Sequence, residues 1–209
     1  MKGLFITFEG IEGSGKSTQM QLLAEKLAEL DIPVLLTREP GGPPISESIR
    51  NILLDPLHRE MLPETELLLY SASRSQHTGQ WILPALREGR VVLCDRYYDS
   101  SLAYQGAARF QDLDFIRVLS RFVTFNTVPD LTFLLHLSVD EGLKRINGRQ
   151  LDRLEQEDAG FHERVRRQYL ELAREEPSRF VVLDGALPPK GIQDMIQKKV
   201  LSKLGVLSE

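Results

Sequence analysis

The feature that most constrains how this 209-residue chain can fold is the stretch GIEGSGKST at residues 10–18. It follows a short apolar run, Leu4–Glu9, and precedes leucines at helical spacing, so it has the strand, loop and helix context of a phosphate-binding loop. Glycines let the backbone curl around a polyphosphate with its N–H groups pointing inward, and the helix that follows adds partial positive charge. The pattern predicts that the chain binds a nucleoside triphosphate. The simpler alternative is a strand-to-helix turn that merely needs glycines.

Two side chains of this loop have a specific predicted chemistry. The Lys16 ammonium can reach the β- and γ-phosphates, and the Ser17 hydroxyl can ligate Mg²⁺. We therefore expect ATP and Mg²⁺ at this loop, with Lys16 in a catalytic role. The residues assigned to the triphosphate site are Gly10, Glu12, Gly13, Ser14, Gly15, Lys16, Ser17 and Thr18.

Composition disfavours several other classes of protein. Hydrophobic residues make up 42% and charged residues 27% of the chain, which is typical of one globular domain, here residues 1–209. The net charge of −4 disfavours nucleic acid as a partner. No apolar run approaches the roughly 20 residues of a membrane span, and Glu9 interrupts the run that could have formed a signal peptide. We expect a soluble, cytoplasmic protein whose single cysteine, Cys94, is a buried thiol.

Apolar runs alternate with helical periodicities along the whole chain. This order predicts a three-layer α/β/α fold in which right-handed crossovers build a central five-stranded parallel sheet. Strands are expected near residues 4–9, 33–37, 91–95, 131–137 and 180–183. Helices are expected after the glycine-rich loop and near residues 45–54, 63–88, 113–125, from 139, from about 161, and near 192–204. Ligands bind such sheets at the carboxyl ends of the strands.

Two of these helices carry a more specific expectation. The helix at residues 45–54 should bury one apolar side, formed by Ile45, Ile49, Ile52 and Leu53. The helix at residues 63–88 should bend or restart at Pro84, because proline has no N–H to donate to the preceding turn.

Charged side chains follow the predicted strands at the ligand-binding edge. Asp95 closes the third strand, where a carboxylate could hold Mg²⁺ directly or through water, although capping of the next segment is a simpler alternative. Arg96 comes next and would point toward phosphates. Arg38, Arg50 and Arg74 lie on other segments and could meet a second anion as planar, bidentate donors, while each taken singly could be a solvated surface residue.

The segment that follows Arg96 is unusual for a loop. Residues 97–106, with the sequence YYDSSLAYQG, place aromatic rings, hydroxyls and an amide close to the predicted metal. Such a set can recognise a flat heterocycle by stacking and by hydrogen bonds to its edge. The alternative is a well-packed turn that buries its tyrosines.

A charged stretch near residues 148–160 is the candidate for a small, mobile lid. Arg145, Arg149 and Arg153 are spaced by four, so a helix through them would carry all three on one face. In a phosphoryl-transfer enzyme, arginines from such a lid can stabilise charge in the transition state, and Arg149 and Arg153 are the candidates. A charged helix in solvent is the alternative. The four histidines have no zinc-ligand spacing and are assigned no chemistry.

Several motifs occur together along the chain: Phe8-Glu9-Gly10 with the phosphate-binding loop, TREPGG at 37–42, LLYSASR at 68–74, Asp95-Arg96-Tyr97, and DSSLAYQG at 99–106. In combination they resemble the bacterial thymidylate kinases, and the likeness runs from Phe8 to about Asp184. The resemblance implies ATP-dependent phosphorylation of dTMP to dTDP with Mg²⁺. It also implies a homodimer, packed through helices that include the one after Pro63.

The resemblance implies a role for each matched residue. Glu12 would meet the sugar 3′-hydroxyl, and Arg38, Arg50 and Arg96 would grip the dTMP phosphate, with Arg96 also catalytic. Tyr70 would stack on thymine at a position where the family usually has phenylalanine, and Tyr104 would pack beside the deoxyribose. The residues expected to hydrogen-bond the base edge are Arg74, Ser101 and Gln105.

The catalytic arginine varies in place within this family. The glycine-rich loop of this chain has none, which is similar to the form that keeps it in the lid, here at Arg149 or Arg153. Two positions depart from the family pattern: Pro43 stands where threonine is usual, and Ser73 where an acid is frequent. A kinase for another nucleoside monophosphate is the nearest alternative function. A P-loop ATPase switch that binds a protein partner is an alternative from a different class.

Overall fold

Five parallel strands form one sheet in the computed structural model, which describes residues 3–148 and 150–206. The strand order is β2-β3-β1-β4-β5. The strands are β1 (Leu4–Glu9), β2 (Val34–Arg38), β3 (Val91–Asp95), β4 (Leu131–His136) and β5 (Phe180–Asp184). The five-stranded parallel sheet expected from the apolar runs is confirmed.

Helices connect successive strands. Within the described residues they are α1 (Lys16–Glu29), α2 (Pro44–Leu54), α3 (Pro63–His77), α4 (Leu83–Arg87), α5 (Tyr98–Ser101), α6 (Leu113–Val123), α7 (Val139–Ile146), α8 (Ala159–Glu175) and α9 (Pro189–Lys203). Two π-helical segments, Thr78–Ile82 and Leu102–Ala108, continue α3 and α5. None of the helices that the structure describes is long and apolar enough to span a bilayer.

The two faces of the sheet are covered by different helices. Along β1 the side chains alternate between faces, so Ile6 and Phe8 pack on one side with apolar residues of α1 and α9. Phe5 points to the other side and packs with Val92 and Tyr97. Helices α2, α3, α6 and α8 contribute to the larger cluster on that side. The result is the expected three-layer α/β/α arrangement.

The strand register brings three strand ends to the same edge. Phe8 of β1 and Arg38 of β2 both pair with Asp95 of β3. The glycine-rich loop, the loop after Arg38 and the segment after Asp95 therefore begin side by side. This alignment positions the functional site.

The buried side of α2 differs from the predicted one. Ile45 and Ile52 are more than 40% exposed, whereas Leu53 is fully buried and Ile49 is partly buried. The buried row runs through Ser46, whose hydroxyl donates to the Ser73 carbonyl on α3. The prediction is confirmed for Ile49 and Leu53 and wrong for Ile45 and Ile52, because a small serine in the contact row carries no apolar signal.

The break near Pro84 is confirmed in its position. Helix α3 ends at His77, a wider π-helical turn covers Thr78–Ile82, and α4 begins at Leu83 with Pro84 in its first turn. Proline is tolerated in a first turn, where its missing N–H has no partner to lose.

The expected loop at residues 97–106 is wrong, because most of this segment is helical. Tyr98–Ser101 form a short α-helix and Leu102–Ala108 a π-helix. Tyr97 and Tyr104 are both buried, as the alternative reading of a packed segment expected. Gly106 lets this segment pack closely on α6, since a Cβ at this position would lie 2.4 Å from Leu113 Cδ2 and the leucine side chain would have to move. A loop was predicted because this segment is rich in polar residues, but these residues lie on one side of a buried helical segment.

A buried carboxylate, Glu9, fixes this helical segment to the sheet. Its Oε1 accepts from the Tyr97 backbone N–H at 2.7 Å. Its Oε2 accepts from the hydroxyls of Ser100 at 2.7 Å and Tyr169 at 2.8 Å. Burial and, secondly, the nearby Asp99 carboxylate raise the pKa of Glu9 to about 7.

This raised pKa makes the stability of the fold pH-dependent. Between pH about 4.5 and 7 the folded state keeps a proton on Glu9 that the unfolded chain releases, so stability falls as the pH rises. The difference corresponds to about 3 kcal/mol of unfolding free energy. We expect Glu9→Gln, which cannot titrate, to lose much less stability than the parent between pH 4.5 and 7.5 in urea unfolding followed by circular dichroism.

The exposed glutamate Glu25 on α1 provides a matched control. Glu25→Gln removes the same charge and should keep the pH dependence of the parent. Equal slopes of unfolding free energy against pH for Glu9→Gln and the parent would contradict the assignment.

Candidate active site

A cavity of about 330 Å³ lies at the carboxyl ends of β1, β2 and β3. Of the residues predicted to form the site, it brings together Glu12, Gly13, Lys16, Ser17, Arg38, Arg50, Tyr70, Arg74, Asp95, Arg96, Ser101, Tyr104 and Gln105. Further lining residues that carry no predicted role include Glu39, Ser100, Asp152, Leu154 and Glu155. Gly10, Ser14, Gly15 and Thr18 lie in the adjoining glycine-rich loop and helix start rather than on the cavity wall.

The glycine-rich loop has a backbone that only glycine adopts easily. Gly10 and Gly13 have φ angles of +136° and +71°. A Cβ at either position would lie 2.5 Å from a backbone carbonyl oxygen, that of Leu135 or of Gly142. The loop therefore packs directly on the neighbouring backbone, where there is no room for a side chain.

Lys16 lies at the first position of α1, beside this loop. Its Nζ donates to the Gly10 and Ile11 carbonyl oxygens, both at 3.0 Å. Burial and, secondly, the positive charge of Arg96 lower the pKa of Lys16 to about 8. A phosphate oxygen would offer the ammonium a negative partner in place of two neutral carbonyls, so this position favours an anion.

Ser17 and Asp95 lie next to each other in the wall of the cavity. The Ser17 hydroxyl donates to Asp95 Oδ2 at 2.6 Å. Two oxygen ligands at this spacing next to a phosphate-binding loop suit Mg²⁺, which prefers few protein oxygens and completes its shell with water and phosphate. The described residues contain no cluster of three or more metal-ligating side chains. The pair is compatible with Mg²⁺ held largely by nucleotide and water.

Arginines from three elements line the same cavity as Lys16. Arg38 donates to both carboxylate oxygens of Glu47, at 3.0 and 3.1 Å. Arg50 donates to the Pro40 carbonyl at 2.7 Å. Burial lowers the pKa of Arg50, and repulsion from Arg38 adds to this effect. Two like charges brought together beside a cavity favour an anion between them.

Arg74 is held more rigidly than the other arginines. Its Nε donates to Glu39 Oε2 at 2.6 Å and its Nη1 to the Ser101 hydroxyl at 2.8 Å. Both partners of the Arg74–Glu39 pair have side chains that are 2% exposed. Glu39 also contacts His77 Nδ1 at 3.0 Å. This pairing fixes the direction of the remaining Arg74 N–H groups toward the cavity.

Arg96, Glu12 and Tyr104 form a second fixed group beside the glycine-rich loop. Arg96 has a φ angle of +71°. Its Nη2 donates to Glu12 Oε1 at 2.8 Å, and the Tyr104 hydroxyl donates to the same oxygen at 2.6 Å. Burial alone would raise the pKa of Glu12, but the charge of Arg96 and its other neighbours lower it well below the usual range. Glu12 is therefore an ionised acceptor.

Two residues outside the predicted set complete this group. Tyr169 accepts from Arg96 Nη1 at 3.0 Å and also contacts the Ser100 hydroxyl at 2.7 Å. His162 Nδ1 lies 3.6 Å from Glu12 Oε2. Burial lowers the pKa of His162, but the nearby Glu12 carboxylate favours the charged imidazole and gives a net increase. The sequence analysis assigned no chemistry to the histidines and therefore missed the contact between His162 and Glu12.

The predicted arginine ladder on one helix face is wrong. Helix α7 ends at Ile146, and residues 150–158 form turns, so Arg145 and Arg153 are not on the same helix. Arg145 donates to the carbonyls of Gly13 and Gly185, at 3.3 and 3.0 Å. Arg149 lies outside the described residues. Gly148, with a φ angle of +91°, is one physical reason why the helix does not continue.

Arg153 is directed away from the glycine-rich loop. Its Nη1 lies 2.6 Å from Glu66 Oε2, its Nε donates to the Leu53 carbonyl, and its side chain is only 8% exposed. Leu154 next to it is buried in the same apolar cluster as Leu53. The described part of the expected lid therefore packs on α2 and α3. The catalytic role assigned to Arg153 stays a prediction.

Sequence reasoning missed the carboxylates that hold the site. Glu9 and Glu66 have side chains buried beneath the cavity, and Asp99 forms a bidentate pair with Arg179 at 2.7 and 2.9 Å. Of the three, only Glu9 carried a signal in the sequence, as a charged residue at the end of an apolar run. Such a residue is almost never fully buried unless it is paired.

Comparisons with known proteins agree with this geometry. The family model described as thymidylate kinase matches residues 8–196. A thymidylate kinase of Pelotomaculum thermopropionicum is 50% identical over 192 residues, covering 91% of this chain and 89% of that protein. One from Trichlorobacter lovleyi is 47% identical, covering 97% of this chain and 99% of that protein.

A solved structure is also similar. The crystal structure of thymidylate kinase from Ehrlichia chaffeensis superposes with a TM-score of 0.77 at 34% identity, covering 96% of this chain and 99% of that chain. The sequence match spans nearly the whole chain and includes the cavity. This chain belongs to the thymidylate kinase family.

Proposed function

We propose that this protein transfers the γ-phosphoryl group of ATP to dTMP, giving dTDP and ADP. The observation that carries the proposal is one cavity lined both by the glycine-rich loop with Lys16 and by three arginines from other segments, Arg38, Arg50 and Arg96. A phosphoryl transfer between two nucleotides needs this arrangement, because donor and acceptor phosphates must approach each other in line.

Each side of the cavity has a proposed task. Backbone N–H groups from Gly10 to Thr18, together with Lys16, hold the donor phosphates, and Lys16 neutralises charge on the transferred group. Ser17 and Asp95 would hold Mg²⁺, which offsets phosphate charge when bound. Arg38, Arg50 and Arg96 orient the acceptor phosphate. Glu12, ionised and fixed by Arg96 and Tyr104, accepts a hydrogen bond from the acceptor sugar.

The remaining wall of the cavity fits a pyrimidine base. Tyr70 and Tyr104 are 9% and 4% exposed and offer aromatic surface. Arg74 supplies fixed donors, and Ser101 and Gln105 lie beside it. A flat ring with carbonyl groups on its edge matches this combination of stacking surface and donors.

Replacing Lys16 tests the donor side. We expect Lys16→Ala to lower kcat by about a hundred-fold or more, because the transferred group loses a cation in a buried site. Lys26→Ala, on the same helix but outside the cavity, is the matched control and should retain the activity of the parent. The measurement is a coupled ADP-release assay with ATP, Mg²⁺ and dTMP.

The same assay with dTMP, dUMP, dAMP and dGMP tests the acceptor. A preference for another monophosphate would support the alternative kinase, and hydrolysis that no monophosphate accelerates would support an ATPase switch. Either result would contradict the proposal.

We infer that the lid arginine that reaches the transition state is Arg149. Arg145, its neighbour at the same spacing, donates to two backbone carbonyls, and Arg153 is held by Glu66 through Nη1, with only Nη2 of its guanidinium left without a partner among the described residues. Arg153 would have to leave a buried ion pair in order to act on a phosphate. We propose that residues 148–160 act as the lid of one catalytic domain, with Arg153 as its anchor on α3.

Substitutions of Arg149 and of Arg153 should differ in their effects on kcat and on the melting temperature. We expect Arg149→Ala to lower kcat by roughly a thousand-fold with an unchanged melting temperature, as for loss of an arginine finger. Arg153→Ala should lower the melting temperature, because it leaves Glu66 with one charged partner fewer. Scanning calorimetry and kcat of both variants are the measurements. A large kcat loss confined to Arg153→Ala would reverse the assignment.

We propose that the protein is a homodimer and that α6 supplies the interface. Phe115, Val118 and Phe122 are 55%, 56% and 79% exposed and lie on one face of this helix. Phe125 continues the stripe toward Gly79, and α6 packs beside α3, where Leu68 is 57% exposed. Contiguous apolar surface of this kind marks an interaction site. A cytoplasmic location would give such an enzyme access to ATP and nucleoside monophosphates.

A charged residue placed in this exposed apolar surface of α6 tests the proposed dimer interface. We expect Phe122→Asp to shift the protein from dimer to monomer in sedimentation velocity, because the carboxylate would be desolvated at the interface. Met195→Asp, on α9 across the sheet and 41% exposed, is the matched control and should remain dimeric. A parent protein that is monomeric at micromolar concentration, or a dimeric Phe122→Asp, would refute the interface.

A further inference from the structure

We propose that Glu66 is a positioning residue for base selectivity: it fixes the side-chain amide of Gln105 so that the amide presents its oxygen, a hydrogen-bond acceptor, to the bound base. The inference rests on the proposed acceptor site and names what sets its specificity. Glu66 lies on α3 and Gln105 on the π-helical segment Leu102–Ala108, so the contact joins two elements that both border the cavity.

Glu66 is a carboxylate surrounded by donors. Its Oε1 accepts from Gln105 Nε2 at 2.9 Å, and its Oε2 lies 2.6 Å from Arg153 Nη1 and 3.2 Å from Arg109 Nη2. Its side chain is 1% exposed. Burial alone would raise the pKa of Glu66, but the hydrogen bond from Gln105 and the charges of Arg109 and Arg153 produce a net decrease. Glu66 is therefore ionised and can only accept hydrogen bonds.

The ionised Glu66 carboxylate determines the orientation of the Gln105 side-chain amide. An amide has an NH₂ group that donates and an oxygen that accepts, and the two ends are interchangeable in shape. A buried carboxylate next to the amide tolerates only the NH₂ group, because the opposite orientation would place two acceptors in contact. Gln105 lines the cavity and is 2% exposed, so its oxygen is the end left for a ligand.

An acceptor beside the donors of Arg74 selects one type of base edge. Thymine and uracil present a ring N–H donor next to a carbonyl acceptor. Cytosine presents the reverse, a ring nitrogen acceptor next to an amino donor. The oxygen of Gln105 therefore pairs with the ring N–H of thymine. With cytosine, the Gln105 oxygen would face the ring nitrogen, another acceptor, and the donors of Arg74 would face the amino group, another donor.

The contact also connects base recognition to the proposed lid. Glu66 binds Gln105 through one oxygen and Arg153 through the other, and the Arg153 backbone N–H donates to the Leu54 carbonyl at 3.3 Å. The amide and the segment that follows Arg149 therefore share one buried anion. Leu54 and Leu154 line the same cavity.

The test is the ratio of kcat/KM for dTMP to kcat/KM for dCMP. In Glu66→Gln the neighbouring group can donate or accept, so the Gln105 amide can turn and present its NH₂ group to cytosine. We expect this ratio to fall by roughly ten- to a hundred-fold, mainly through a higher KM for dTMP. A residue with only a structural role would change Tm or kcat for both substrates equally and leave the ratio unchanged.

Two further variants make the result specific. Glu157→Gln is the matched control: Glu157 also binds Arg109, at 2.7 Å, but is not a partner of Gln105, so the ratio should stay at the value of the parent. Gln105→Met keeps the volume and removes the amide, and it should lower the ratio as much as Glu66→Gln does. In the double variant Glu66→Gln/Gln105→Met the effect of the Glu66 change on the ratio should disappear, because Glu66 acts through Gln105.

Each outcome decides the proposal. An unchanged ratio in folded Glu66→Gln, or additive effects in the double variant, would overturn it. If Glu66→Gln does not fold, Gln105→Met decides alone, since an unchanged ratio there shows that the amide does not read the base. A parent enzyme that phosphorylates neither substrate would instead overturn the proposed function, so the two failures are distinguishable.

Discussion

The site depends on arginines that are held by buried carboxylates rather than by solvent. Arg74 is paired with Glu39, Arg96 with Glu12, and Arg153 with Glu66. A buried arginine without such a partner is strongly destabilising, and a buried pair with one member removed leaves an uncompensated charge. The carboxylates therefore stabilise the fold. Glu39 and Glu12 also hold Arg74 and Arg96 at the cavity wall, whereas Glu66 contacts the cavity only through Gln105.

These pairs join elements that are far apart along the chain. Glu39 follows β2 and binds α3, while Glu12 lies in the first loop and binds the segment after β3. Glu66 on α3 binds both the π-helical segment, at Gln105, and the segment that contains Arg153. Bidentate and charge-assisted contacts of this kind are directional, so each one restricts the relative position of two elements. The acceptor side is preorganised by the same contacts that close the fold around it.

Most of the fold could be predicted from local pattern. The strand at Val91–Asp95, the glycine-rich loop and the restart near Pro84 each depend on residues that are adjacent in sequence. The predictions failed where contact partners came from elsewhere. Ser46 on α2 is buried because Ser73 accepts its hydrogen bond, and the segment after Tyr97 is helical because Glu9 and Tyr169 receive its polar groups.

The sequence by itself determined the phosphate-binding loop, the parallel sheet and the set of polar residues at its carboxyl edge, because glycine conformation and apolar periodicity act over a few residues. Only the tertiary structure decided which polar residues face one another. Arg153 shares the spacing of Arg145, yet it turns to Glu66 because α7 ends at Ile146. Ion pairs and hydrogen bonds form between side chains at about 3 Å, and spacing along the chain does not determine such distances once a helix has ended.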